Sequence, residues 1–238
     1  MEIDEIAKLD SFILETYKVL KPFENLKISS KSIKYLINNS YRTYDILISI
    51  NCICSNIKNL SEIEHPLGIL LRSGLYDFIN FQFYSNKCIT NEILDSTKFE
   101  NEIEEYLKGH FNSMAKNDVI METYKSILEF KSDGKLKEYK TLGVLKEGRD
   151  FANQKKLNYL HSAIDSWEWY SKYEHYGFFT YDMLNDVEGN KNRIYESIKI
   201  LYYNVYLTML AIHSIDSTLI NLLKIEPIED IILNKTKN

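Results

Sequence analysis

The chain has 238 residues, 45% hydrophobic and 26% charged, which is enough to bury a sizeable core and too apolar for a disordered tail. Lys and Arg number 29 against 34 Asp and Glu, and the resulting net charge of −5 excludes binding of nucleic acid through a global basic field. Eight glycines and three prolines are too few for a sandwich or barrel with many hairpins, and no proline falls between Leu67 and Glu226, so the composition predicts an all-α bundle of long helices.

Ile6, Leu9, Ile13, Leu14, Tyr17 and Leu20 recur at helical spacing over residues 3–20, and Pro22 closes this first helix. A second helix begins near Ser29 or Ser30. Its stripe runs through Ile33, Ile37, Tyr41, Tyr44, Ile48 and Cys52, and Leu36, Leu47, Ile50, Ile53 and Ile57 widen it enough to meet neighbours on more than one side. Residues 59–64 read as a connection. Pro66 suits the first position of a third helix, where its missing N–H is not needed, and residues 67–84 follow as an almost wholly apolar stretch. Gly68 and Gly74 on that helix mark close helix packing.

Residues 88–116 carry a weaker, more charged helical pattern, and Asp118 is placed to cap a short helix through Phe130. Residues 131–148, with Gly134, Gly143 and Gly148, read as an irregular loop. The span 125–156 holds nine Lys or Arg against five Asp or Glu, which reads as a solvated loop, with a local anion or RNA contact as the functional alternative. A long helix is predicted from Asp150 to Tyr173, burying Leu157, Leu160, Ile164, Trp167 and Ser171 and ended by Gly177. A short helix near residues 181–187, a Gly189-Asn190 turn and a final helix over 192–223 complete the pattern. No repeat, low-complexity tract or Ser/Gly linker divides the chain, so residues 1–238 are predicted to form a single helical domain with its core within 30–223.

Residues 200–215 hold no Asp, Glu, Lys or Arg, but 16 residues at 1.5 Å each span about 24 Å, short of a hydrocarbon core of roughly 30 Å. A helix at the centre of the bundle, and no membrane, is therefore expected. Cys52, Cys54 and Cys88 are odd in number and suit neither a disulfide framework nor a zinc site, so they read as buried, reduced thiols. The acidic start, Met1 to Glu5, has no basic segment and no apolar run of a signal peptide, and the expected location is cytoplasmic.

Arginine is scarce, with 4 copies against 25 lysines, and Arg72 sits in the apolar third helix. A guanidinium cannot lose its charge, so a buried Arg72 needs a carboxylate, several carbonyls or an anionic ligand. Tyr76 shares its face one turn on, whereas Asp77 largely does not. His161, Asp165, Glu168, Lys172 and His175 form a polar stripe on the later long helix, ordinarily its solvent side. The functional alternative is a pocket walled by Trp167, Trp169, Tyr170, Tyr173 and Tyr176 and holding Glu174 and His175, whose imidazole suits proton transfer. Glu62-Ile63-Glu64-His65 contains Glu-x-x-His, but a di-iron bundle needs two such pairs on helices, so no metal is expected. His213 and Asp216 read as a core histidine and its partner. No phosphate-cradling loop or nucleophile motif appears, and no cofactor is expected.

Two segments carry a resemblance: Leu71-Arg72-Ser73-Gly74-Leu75-Tyr76-Asp77, and Tyr170-Ser171-Lys172-Tyr173-Glu174-His175. Together they resemble a group of bacterial helical proteins related to the HEPN superfamily (higher eukaryotes and prokaryotes nucleotide-binding), over residues 30–215 in helix order. The resemblance implies a HEPN-like bundle, dimer formation, and a setting in bacterial defence or toxin systems. Many HEPN proteins are metal-independent ribonucleases with an Arg and a His four to six residues apart. None of Arg42, Arg72, Arg149 or Arg193 is followed by His at that spacing. The expected function is accordingly a non-catalytic interaction or regulatory protein with a protein partner. The alternative is a ribonuclease or nucleotide-processing enzyme, with RNA or a nucleotide as ligand. In it Arg72 holds phosphate, His175 moves a proton, and Tyr76, Asp77, Trp167, Tyr170, Ser171, Tyr173 and Glu174 line the site.

Overall fold

The computed structural model describes residues 3–56, 60–90, 93–114, 130–135, 137, 144–175 and 187–222. The fold is all-α: α1 (Ile3–Leu20), α2 (Lys31–Asn56), α3 (Leu60–Cys88), α4 (Ser96–Met114), α5 (Arg149–Lys155), α6 (Asn158–His175), α7 (Val187–Ile215) and α8 (Ser217–Leu222), with a small antiparallel pair, β1 (Ile89–Thr90) and β2 (Ile93–Leu94). Pro22 lies in a short 3-10 turn, Lys21–Phe23, that follows α1, and the Ser30 hydroxyl accepts a hydrogen bond from Ile33 N–H at the start of α2. The helices α3, α6 and α7 enclose one apolar cluster built on Leu71, Leu75, Ile164 and Leu201. The other cluster, on Leu36, Phe81, Phe99 and Met209, joins α2, α3, α4 and α7.

Several boundaries differ from the sequence expectation. Residues 60–64 are helical rather than a connection, and Pro66 lies inside α3. Glu64, Leu67 and Leu71 fall on one buried stripe, and their packing outweighs the hydrogen bond that Pro66 forfeits. Residues 89–90 and 93–94 pair as two short antiparallel strands where helix was expected, since Ile89, Thr90 and Ile93 are β-branched and favour extended backbone. Two residues per strand are too few to show alternation. Val144–Gly148 is helical rather than irregular and leads directly into α5. The helix expected over 150–173 is broken at Lys156, whose φ of 55° is left-handed. Lys156 N–H donates to Asn153 O and Leu157 N–H to Ala152 O, which closes α5 as a glycine C-cap does.

The expected Gly189-Asn190 turn lies within α7. That helix ends before Asp216, whose carboxylate accepts from Thr218 N–H at 3.0 Å and Leu219 N–H at 3.2 Å and so caps α8. Asp216 is therefore a cap and not a histidine's partner, and His213 is exposed rather than part of the core. The expectations for a helix over 118–130 and a Gly177 terminator, and most of that for a helix near 181–187, lie outside the described residues.

Residues 200–215 form the buried centre of the bundle through Leu201, Tyr202, Val205, Met209 and Ile212. Among the described residues no helix is long and apolar enough to cross a membrane. Gly74 is where α3 meets α7: a Cβ there would lie 2.8 Å from both Leu201 methyl carbons, so Gly74→Val is expected to cost about 1–3 kcal/mol in denaturant unfolding. All three cysteines are free, but Cys52 is exposed, which corrects the expectation that all are buried. Burial pushes the Cys54 and Cys88 thiols up to about 11. At pH 8 a thiol reagent should therefore label Cys52 at once and reach the other two only on unfolding. Both acids keep their protons more tightly in the fold than the ordinary value of 9.0, so stability should fall as pH rises from about 9 to 11.

Candidate functional site

Arg72 and Tyr76 leave α3 on the same side and meet α6. The Arg72 guanidinium lies 5.5 Å from the Trp167 ring centre and the Tyr76 ring 6.0 Å from it. Arg72 is partly buried, and its charge rests on an aromatic face rather than in open water. Asp77 faces another way, towards α2. There Arg42 donates from Nε to the Asp77 carboxylate and from Nη2 to Ser73 Oγ at 2.8 Å. The seven-residue segment Leu71–Asp77 thus serves two helix contacts and does not converge on one pocket.

On α6 the two tryptophans diverge because residues two apart on a helix point about 200° from each other. Trp169 turns to α7, where the Arg193 guanidinium lies 4.3 Å from its ring centre, and Lys172 lies 5.1 Å from the same ring. Tyr170 is 1% exposed, and its hydroxyl lies 3.4 Å from Ser197 Oγ. Burial pushes the Tyr170 phenol up, while the Ser197 hydrogen bond and the Arg193 charge pull against that, and Glu64 adds to it. Ser171 donates to the Glu168 carbonyl on its own helix at 2.7 Å. The polar stripe on α6 is put to use at its middle: Arg149 Nη2, from the start of α5, lies 2.7 Å from both Asp165 and Glu168.

The side chains of Tyr173, Glu174 and His175 lie outside the described residues, so the pocket expected of them is not described. The His175 backbone ends α6, eight residues beyond Trp167, which is about 12 Å along the helix axis from the point where Arg72 docks. Among the described residues no group of three His, Cys, Asp or Glu is placed to hold a metal ion.

Two participants carry no functional signal in the local sequence. Glu64, 3% exposed, falls in the segment that reads as a connection, although its spacing to Leu67 and Leu71 puts it on their stripe. Nothing local distinguishes Arg193; its partner Trp169 is 24 residues away. No family model, curated protein or solved structure matches this chain. A double-mutant cycle on Arg193 and Trp169 should give a coupling of about 0.5–2 kcal/mol in unfolding free energy, and additive losses would show the contact to be inert.

Proposed function

We propose that this chain is a HEPN-like, non-catalytic interaction or regulatory protein of a bacterial defence or toxin-type system, acting through a protein partner or a second copy of itself. One observation carries the reading: all four arginines are engaged between helices. Arg42 joins α2 to α3, Arg72 joins α3 to α6, Arg149 joins α5 to α6, and Arg193 joins α7 to α6. A guanidinium that grips phosphate must be presented to the ligand, and these are committed to neighbouring side chains. The exposed apolar side chains of Leu14, Ile89, Ile93 and Tyr203 supply surface for a partner.

The ribonuclease alternative needs Arg72 and His175 to reach one phosphate. In the test, total RNA is incubated with wild type, Arg72→Ala and His175→Ala. The proposal expects three identical RNA profiles, equal to buffer, together with a loss of about 1–2 kcal/mol of stability in Arg72→Ala from the Trp167 contact. RNA fragmentation by wild type that both substitutions abolish would replace this reading with the enzymatic one.

A further inference from the structure

Away from α6, a pocket of about 370 Å³ lies where the turn after α1 folds back on the first half of α2. Small-molecule sites run from about 300 to 1,000 Å³, so it has room for one compact guest. Its floor is apolar: Phe23 is 4% exposed and Ile37 6%, with Ile28 and the Tyr41 ring half-buried beside them. The walls are held before any guest arrives. Glu24 N–H donates to Lys21 O at 3.3 Å and Leu26 N–H to Phe23 O at 3.2 Å, which fixes the turn. The Tyr41 hydroxyl donates to Leu20 O at 3.1 Å, which fixes the ring. A preformed site avoids part of the ordering cost of binding.

The mouth has a different chemistry. Glu24 stands on the turn side, and Lys34 and Asn38, four residues apart, stand one above the other on α2. All three are exposed, and among the described residues their side chains enter no hydrogen bond or ion pair. The other two basic residues of α2 are committed, Lys31 to Glu104 and Arg42 to Asp77. A guest with a single charge would meet one partner at this mouth and one like charge. A guest that carries both charges on an apolar body meets a partner at every point.

We propose that this pocket binds a free α-amino acid with an apolar side chain. The Glu24 carboxylate accepts from its ammonium group, Lys34 Nζ and Asn38 Nδ2 donate to its carboxylate, and its side chain lies on Phe23, Ile37 and Tyr41.

The test is a nuclear magnetic resonance titration of the full chain with L-phenylalanine at about 150 mM salt, where diffuse attraction is screened. Saturable shifts are expected at the amides of residues 23–28 and 34–41 and not on α6. Because the mouth is open to water, Glu24→Gln and Lys34→Met should each weaken binding only about two- to fivefold. 3-Phenylpropanoate, which lacks the ammonium group, should bind more weakly than phenylalanine and lose nothing with Glu24→Gln. 2-Phenylethylamine, which lacks the carboxylate, should also bind more weakly and lose nothing with Lys34→Met. Asn38→Trp, which fills the mouth, should abolish binding of all three. Far-ultraviolet circular dichroism checks each fold, and if a variant is unfolded the three ligands on wild type decide. The proposal is overturned by an absence of saturable shifts at millimolar phenylalanine, or by either analogue binding as tightly as phenylalanine. Unchanged phenylalanine affinity in any folded variant overturns it as well.

Discussion

A guanidinium stays charged at every accessible pH, so a helical protein that places one against its core must give it an aromatic face, an acid or a carbonyl. This chain has 4 arginines among 29 basic residues and uses every one at a contact between helices. Three of them converge on α6: Arg72 from α3 on Trp167, Arg193 from α7 on Trp169, and Arg149 from α5 on Asp165 and Glu168. Lysine would not substitute, because a compact, strongly hydrated ammonium neither stacks flat on a ring nor bridges two carboxylates with a rigid fork. The apolar face of α6, with Leu160, Ala163 and Ile164 at 0% exposure, supplies most of the burial, and the arginines fix which neighbour each flank meets.

The middle of α7 meets α1 and α2 through hydroxyl and amide donors in place of guanidinium groups. The Tyr202 and Tyr206 hydroxyls of α7 both donate to the Glu15 carboxylate of α1, and Phe12 stacks on Tyr202 at 4.2 Å. Asn204 donates to Thr43 of α2 at 2.9 Å, deep in the interior. These contacts explain how α7, uncharged over residues 200–215, can carry polar side chains through its middle: Tyr202, Asn204 and Tyr206 lie against partners on other helices, and Thr208 donates to the Asn204 carbonyl of α7 itself at 2.7 Å. They also give the apolar packing a register, since a shift of either helix would strand an Asn or a carboxylate.

The all-α class was legible from composition, and α1 and α2 from apolar spacing, because both are long and amphipathic. The features that escaped depend on information the local sequence does not carry. Lys156 adopts a left-handed conformation usually left to glycine, so the break between α5 and α6 had no marker. Pro66 signalled a helix start that tertiary packing moved back to Leu60. At the candidate site, the division of Arg72 and Tyr76 from Asp77 followed from the helical repeat alone. What Arg72 and Asp77 touch did not, since Trp167 and Arg42 lie 95 and 35 residues away.

Arginine contacts, and not apolar burial alone, hold α6 in place between its neighbours. Native-state hydrogen exchange on the chain with Arg72, Arg149 and Arg193 all replaced by lysine tests it most directly. Backbone amides of α6 are expected to lose protection selectively, while those of α2 and the middle of α7 keep theirs. Unchanged protection throughout α6 in the triple variant would contradict it.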